Sequence, residues 1–315
     1  MEKPIIFLQK KFRTEFIQQI RDIAPDYQIK TELNDSEFAK VEIAVGWQKQ
    51  FSQQLLDSKN LKWVQSISAG VDYLPLDTFA QQAILLSNSS GTHALSISEH
   101  IIGTLLGYYR GLNQAVKNQA ENSWQPENIH YDQLAGKNLL VVGTGHIGQQ
   151  LSKSIRSLGV HVYGINTTGH PADGFVETYS IKNMAKIVPE MDIVVGILPG
   201  TQETYHIFNS HIFENMKESA IFVNVGRGET LHTKELITAL EVKQFAFAAL
   251  DVFEEEPLPK ESPLWQLDNV LVTPHISGLT VDFQNKFMKI FLANLKSYVA
   301  DGSLSENQVE LQRGY

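Results

Sequence analysis

The chain has 315 residues, with 26 basic and 35 acidic side chains, a net charge of −9 and no cysteine. That length suggests two domains at roughly 100–200 residues each, and the acidic balance argues against nucleic acid as a partner, because phosphate binding needs clustered Lys and Arg. Lack of cysteine excludes disulfides, zinc–thiolate sites and cysteine nucleophiles and suits a reducing cytoplasm; with no apolar run of about 18 residues and no signal-peptide-like start, no membrane association is expected.

"PIIFLQK" (4–10) predicts a strand and residues 12–23 an amphipathic helix. "VEIAVGW" (41–47) and "LKWVQSIS" (61–68) predict buried strands with a polar helical stretch between them, and "AILLSNSSG" (83–91) adds a short strand. Such β–α alternation is the mark of a parallel sheet in an α/β fold. Residues 92–120 place Ile97, Ile101, Leu105 and Leu112 at helical spacing, with Ser96 or Ser98 as a candidate cap. This stretch reads as one helix that joins two domains or packs on a second subunit, or equally as an ordinary core helix. A loop over 121–136 precedes a strand–glycine turn–helix–strand unit at 137–166. "DIVVGILP" (192–199), "AIFVNVG" (220–226), "FAAL" (247–250) and "NVLVT" (269–273) predict further strands, with helices in "NSHIFENM" and "TKELITALEV". Residues 280–302 predict one terminal amphipathic helix.

The turn "VVGTGHIG" sets Gly143, Gly145 and Gly148 as G-x-G-x-x-G after an apolar strand and before a helix. In that context the first glycine allows a tight turn, the second lets a pyrophosphate approach, and the third lets the helix pack on the sheet. The N–H groups of His146 and Ile147 would face the phosphates at the helix N-terminus. The second strand of the unit ends in "YGINTTGH". An NAD-binding unit commonly carries an acid there, bonded to the adenine ribose. Asn166, followed by Thr167, Thr168 and His170, offers no carboxylate to repel a 2′-phosphate and no Arg to bind one strongly. NADP(H) or NAD(H) is therefore expected as cofactor, with NADPH slightly preferred.

Ligands of open α/β sheets bind beyond the carboxyl ends of the strands. Three predicted strands deliver ionisable residues to that side: Arg227 in "VNVGRGETL", Asp251 and Glu256 in "LDVFEEEPLP", and His275 in "VLVTPHISG". Singly each has a bland explanation; Glu254, Glu255 and Glu256 also read as a solvated acidic run.

These segments, together with "LPGTQET" and the earlier "SISAGVDYLPLD", stand in an order that resembles the D-isomer-specific 2-hydroxyacid dehydrogenases. The resemblance runs over residues 41–281 and is most specific over 137–278. It implies two Rossmann-like domains of doubly wound parallel sheet. Residues 1–92 with 280–315 would form the substrate domain, and an inserted segment, 93–279, the NAD(P)-binding domain. It is to the short members, which lack a C-terminal regulatory domain. It also implies a homodimer with the helix after residue 92 in the contact, and a small 2-oxo acid as substrate. His275 would be the proton donor, Glu256 the carboxylate that favours its imidazolium, and Arg227 the anchor of the substrate carboxylate. The N–H groups of Ala69 and Gly70 would bind that carboxylate too. Trp47 would line the pocket or pack in the core. The cofactor's surroundings would include Pro199, Thr204, Val225, Asp251 near the nicotinamide carboxamide, and Gly278; no metal is implied. An alternative is a dinucleotide-sensing binding protein of the corepressor type on the same fold.

Overall fold

The computed structural model describes residues 3–312. The chain divides into two compact units, Met1–Thr92 with Val281–Tyr315, and His93–Thr280, so the second is an insertion in the sequence of the first.

The first unit contributes β1 (Ile5–Leu8), α1 (Thr14–Ile23), β2 (Gln28–Lys30), β3 (Val41–Val45), α2 (Ser52–Asp57), β4 (Trp63–Gln65), α3 (Leu76–Gln81) and β5 (Leu85–Ser87). Its strands are parallel in the order β2-β1-β3-β4-β5, the flavodoxin-like doubly wound order. The second unit contains α4 (Ala94–Tyr109), α5 (Leu112–Ala120), β6 (Asn138–Val142), α6 (His146–Ile155), β7 (His161–Asn166), β8 (Thr178–Ser180), α7 (Met184–Ile187), β9 (Ile193–Gly196), α8 (Ser210–Phe213), β10 (Ile221–Asn224), α9 (Thr233–Glu241), β11 (Phe247–Leu250) and β12 (Val270–Val272). Its parallel sheet runs β12-β11-β10-β9-β6-β7-β8. The winding reverses between β6 and β9, the crevice where Rossmann-type sheets take ligands. The chain returns to the first unit in α10 (Phe283–Asp301).

Successive strand residues feed opposite cores. Leu140 and Val142 join one face of the second unit's sheet, while Leu139 and Val141 join the other with Ile97, Ile101 and Leu105 of α4 and Leu151 and Ile155 of α6. Both faces are covered, so the strands need continuous apolar runs. Each fully buried aliphatic side chain contributes about 1.5–3 kcal/mol.

Two expectations are corrected, and three edge strands add detail that the sequence did not carry. The stretch 92–120 is two helices, because Gly111 adopts φ +66° between α4 and α5, a left-handed conformation that interrupts the helix. Neither Ser96 nor Ser98 caps α4; His93 is its N-cap residue, and the Ser98 hydroxyl donates to Ala94 O at 2.7 Å. β12 is an edge strand whose residues are only partly buried. Finally, β2 and β8 exist although neither has an apolar run; both are three-residue edge strands.

Candidate active site

Because every strand of the second unit's sheet is parallel, the loops after them share one edge. Across the sheet, β12 is followed by His275, β11 by Asp251 and Glu256, β10 by Val225 and Arg227, and β9 by Pro199 and Thr204. The glycine turn follows β6, and Asn166 ends β7.

His275 Nδ1 lies 2.8 Å from Glu256 Oε2. A carboxylate only accepts, so Nδ1 carries the proton of this bond. The other Glu256 oxygen, Oε1, accepts from Phe253 N–H at 3.0 Å. His275 itself sits at φ +53°, a conformation that costs a non-glycine residue about 1–3 kcal/mol. Asp251 offsets that cost. Its carboxylate accepts from Thr273 Oγ1 at 2.6 Å, Ile276 N–H at 2.9 Å and Ser277 N–H at 2.9 Å, and its carbonyl accepts from His275 N–H at 2.9 Å. Bonds to a charged group contribute about 1.5–3 kcal/mol each. Burial pushes the Asp251 carboxyl up, but these bonds from Ser277, Thr273 and Ile276 outweigh it and hold the group below its ordinary value.

The Arg227 loop hangs from buried polar groups. Arg227 O accepts from Thr230 Oγ1 at 2.6 Å and from Asn224 Nδ2 at 3.3 Å, and Asn224 and Thr230 are fully buried. The Arg227 Nη1 donates to Gly226 O at 2.9 Å. A Cβ on Gly228 would lie 1.9 Å from the Phe253 carbonyl, so only glycine lets the Arg227 loop meet the Glu256 loop.

In the glycine turn, Gly143 adopts φ +117°, and a Cβ on Gly148 would stand 2.2 Å from Gly143 O. A Cβ on Gly145 would meet no protein atom within 4 Å. His146 and Ile147 open α6. Asn166 is 9% exposed, and its whole amide is engaged. Nδ2 donates to Thr144 Oγ1 at 3.2 Å and His170 O at 2.8 Å, and Oδ1 accepts from Gly169 N–H at 2.7 Å. Asn166 thus shapes the loop, while Thr167, Thr168 and His170 are exposed on it. Thr204 is buried and donates to Pro199 O at 2.6 Å; Val225 is buried, and Gly278 O accepts from His93 Nδ1 at 2.7 Å.

In the first unit, Ala69 and Gly70 follow β4. Asn88 Nδ2 donates to Ala69 O at 2.8 Å, and Ser68 O accepts from Ser89 N–H at 3.1 Å and from Ser66 Oγ at 3.0 Å. In a trans peptide the N–H points opposite the carbonyl. Pinning these two carbonyls therefore turns the N–H groups of Ala69 and Gly70 away from Asn88 and Ser89. Trp47 packs edge-to-face on Phe79 at 5.1 Å, in a core cluster of the first unit.

The family model for the D-isomer specific 2-hydroxyacid dehydrogenase NAD binding domain matches residues 102–277. The chain belongs to the D-isomer-specific 2-hydroxyacid dehydrogenase family. A glyoxylate reductase of Thermofilum pendens is 30% identical over 242 residues, 75% of this chain and 71% of that protein. The crystal structure of a phosphoglycerate dehydrogenase from Lactobacillus plantarum is 38% identical with a TM-score of 0.59, covering 97% of this chain and 100% of that one. A D-isomer specific 2-hydroxyacid dehydrogenase from Xanthobacter autotrophicus Py2, solved with NADPH and MES, is 26% identical with a TM-score of 0.82, covering 100% of both chains. As a D-2-hydroxyacid dehydrogenase, the chain is an NAD(P)-dependent oxidoreductase.

Within this family member the structure brings His275 and Glu256 into contact and sets the Arg227 loop against the Glu256 loop. Four residues that hold these groups were not singled out from the sequence: Asn224, Thr230, Thr273 and Asn88. Each is an ordinary polar type, and only its burial or its partners mark it. Among the described residues no group of three or more His, Asp and Glu is arranged to hold a metal ion.

Proposed function

We propose that the chain interconverts a small 2-oxo acid and its D-2-hydroxy acid, in the manner of a glyoxylate/hydroxypyruvate reductase or a phosphoglycerate dehydrogenase. The observation that carries this reading is the His275–Glu256 contact of 2.8 Å at the strand exits that also carry Arg227. When bound, a reduced nicotinamide coenzyme would supply the hydride that the carbonyl carbon accepts. As the C=O π bond opens, His275 Nε2 gives its proton to the oxygen; in oxidation it takes that proton back. Glu256 stabilises the imidazolium and fixes its ring. Arg227 holds the substrate carboxylate with a planar fork that stays charged. In the first unit, the N–H groups of Ala69 and Gly70 are read separately as carboxylate donors.

Residues 1–92 with 280–315 serve as substrate domain and residues 93–279 as coenzyme domain, a division that differs from that of the two compact units only at Thr280. The match of the NAD-binding model to residues 102–277 supports that division. The open Cβ direction at Gly145 and the N–H groups of His146 and Ile147 fit a pyrophosphate at a helix N-terminus. NADPH is preferred over NADH: no carboxylate ends β7, and two hydroxyls and a histidine are exposed just beyond it. Two chains pair as a homodimer through the α4–α5 region, where Leu95, Leu112 and Val116 are exposed. No helix among the described residues is long and apolar enough to cross a membrane, and a cysteine-free chain suits the cytoplasm. The enzyme names of its relatives favour turnover over the corepressor-type alternative.

Glyoxylate, hydroxypyruvate, pyruvate, phenylpyruvate and bulkier 2-oxo acids, each assayed with NADPH and NADH, test this reading. Turnover of at least one to the D-hydroxy acid is expected. Coenzyme binding without turnover of any would favour the binding-protein alternative.

A further inference from the structure

The acidic run 254–256 is divided among separate tasks. Glu256 pairs with His275, while Glu254 turns away from it. Glu254 Oε1 lies 2.6 Å from His206 Nε2, and Oε2 accepts from Thr233 N–H at 3.0 Å, in the first turn of α9. A carboxylate at a helix N-terminus also meets the favourable end of the helix dipole. His206 is itself fixed: its N–H donates to Glu229 O at 2.9 Å, its ring stacks on Tyr205 at 3.9 Å, and the His232 ring lies 4.5 Å away, beside Glu235.

We propose that Glu254 is a positioning residue for the reaction: by tying the segment 251–257 to His206 and to α9, it holds Glu256 in register with His275. The segment has two other supports. Asp251 is buried at its start, and the Phe253 carbonyl lies against Gly228. Between those supports and Pro257, the Glu254 side chain ties this turn to both His206 and α9. Phe253 N–H, which directly precedes Glu254, is the donor that orients Glu256 Oε1. Releasing Glu254 therefore frees the peptide that aims the Glu256 carboxylate. Burial pushes the Glu254 carboxyl up, yet the bonds from Thr233 and His206 outweigh it and keep it below its ordinary value, so it anchors as a carboxylate near neutral pH. This role rests on the reading of His275 and Glu256 as the acid pair.

The test is steady-state reduction of a 2-oxo acid by the full chain, with Glu254→Ala, Glu254→Gln and His206→Phe beside His275→Gln and Glu256→Gln. Glu254→Ala is expected to lower kcat about tenfold, an order of magnitude below the cost of a 1 Å misplacement, at unchanged coenzyme Kd. A loosened Glu256 orients the His275 ring less, so the loss falls on kcat with KM for the 2-oxo acid near the parent value, the split expected of Glu256→Gln. Glu254→Gln, which keeps an acceptor for Thr233, retains kcat within about twofold, since neutral bonds are about half as strong as charge-assisted ones. His206→Phe keeps a ring for Tyr205 and gives the same loss in kcat at unchanged KM, at smaller size. Parent kcat in Glu254→Ala, or a loss carried by KM at parent kcat, would overturn the inference; if that variant does not fold, His206→Phe decides by the same two readouts. If His275→Gln and Glu256→Gln keep parent turnover, the acid-pair reading itself fails, and this inference with it.

Discussion

The turn after β6 and the loop after β12 leave the same sheet edge, yet they are built in opposite ways. After β6 the proposed functional groups are backbone: three glycines and the first N–H groups of α6. There glycine spacing is the device, since a Cβ would fill the space or block the packing. After β10, β11 and β12 the proposed functional groups are side chains, and each segment is held by another polar group: the Arg227 carbonyl by Asn224 and Thr230, the His275 loop by Asp251, Glu256 by the Phe253 backbone N–H. Backbone sites tolerate changes of side chain but not of glycine; side-chain sites fail through their supports. Each prediction below damages one end and asks whether the other survives.

The largest effect belongs to Gly148→Val. Its Cβ would stand 2.2 Å from Gly143 O, so the turn must open. Coenzyme binding should weaken by more than about 10²-fold, the scale of several lost phosphate bonds. Fluorescence titration of the folded variant checks this, and an unchanged Kd would show that the turn does not make the coenzyme site. At the other end, Arg227→Lys should keep coenzyme binding. It should lower kcat/KM for the 2-oxo acid by roughly 10–10²-fold, because an ammonium cannot make the paired contact. Equal kcat/KM in parent and variant would remove Arg227 from the substrate.

Asp251→Asn should cost about tenfold in kcat, near 1.4 kcal/mol, because the amide must set an N–H against at least one of the three donors now bonded to it. The same support has a pH signature. The folded Asp251 carboxyl lies below its ordinary value, so its contribution is complete above the unfolded value of about 3.9 and is lost as pH falls through the folded one. The parent should therefore lose order around His275 on the acid side, while Asp251→Asn, already without that contribution, loses less over the same interval. Hydrogen exchange of residues 273–278 against pH measures it; identical acid profiles would deny Asp251 this role.

The smallest effect is on coenzyme choice. The parent should favour NADPH about tenfold in kcat/KM, and Asn166→Asp should shift the ratio toward NADH by a similar factor. The Asn166 amide also donates to His170 O, so the new carboxylate would repel that carbonyl and loosen the loop. For that reason both coenzymes should bind more weakly in the variant. A parent that strongly prefers NADH would reject the reading of this position.

Legibility followed the same division. The glycine turn, the strand–helix alternation and the residues at the strand ends were readable because spacing and apolar runs are local signals. The edge strands β2 and β8 were not, since their sequences, "QIK" and "TYS", carry no apolar run. The break at Gly111 was hidden because Leu112 continues the helical spacing across it. Asp251 was legible as important, but not as the holder of the His275 loop; Glu254 was indistinguishable from a solvated acid. A support is defined by what it touches across the fold, and no spacing within the sequence records that.

The most direct test of the division between the two ends is a single-turnover reduction of glyoxylate, or of the best 2-oxo acid found, by the parent and His275→Gln, with coenzyme Kd measured on the same samples. Unchanged Kd with a rate lowered by about 10²-fold or more is predicted, the scale of a lost general acid. A rate close to the parent's at equal Kd would contradict it, and would take the proton donor away from the exit of β12.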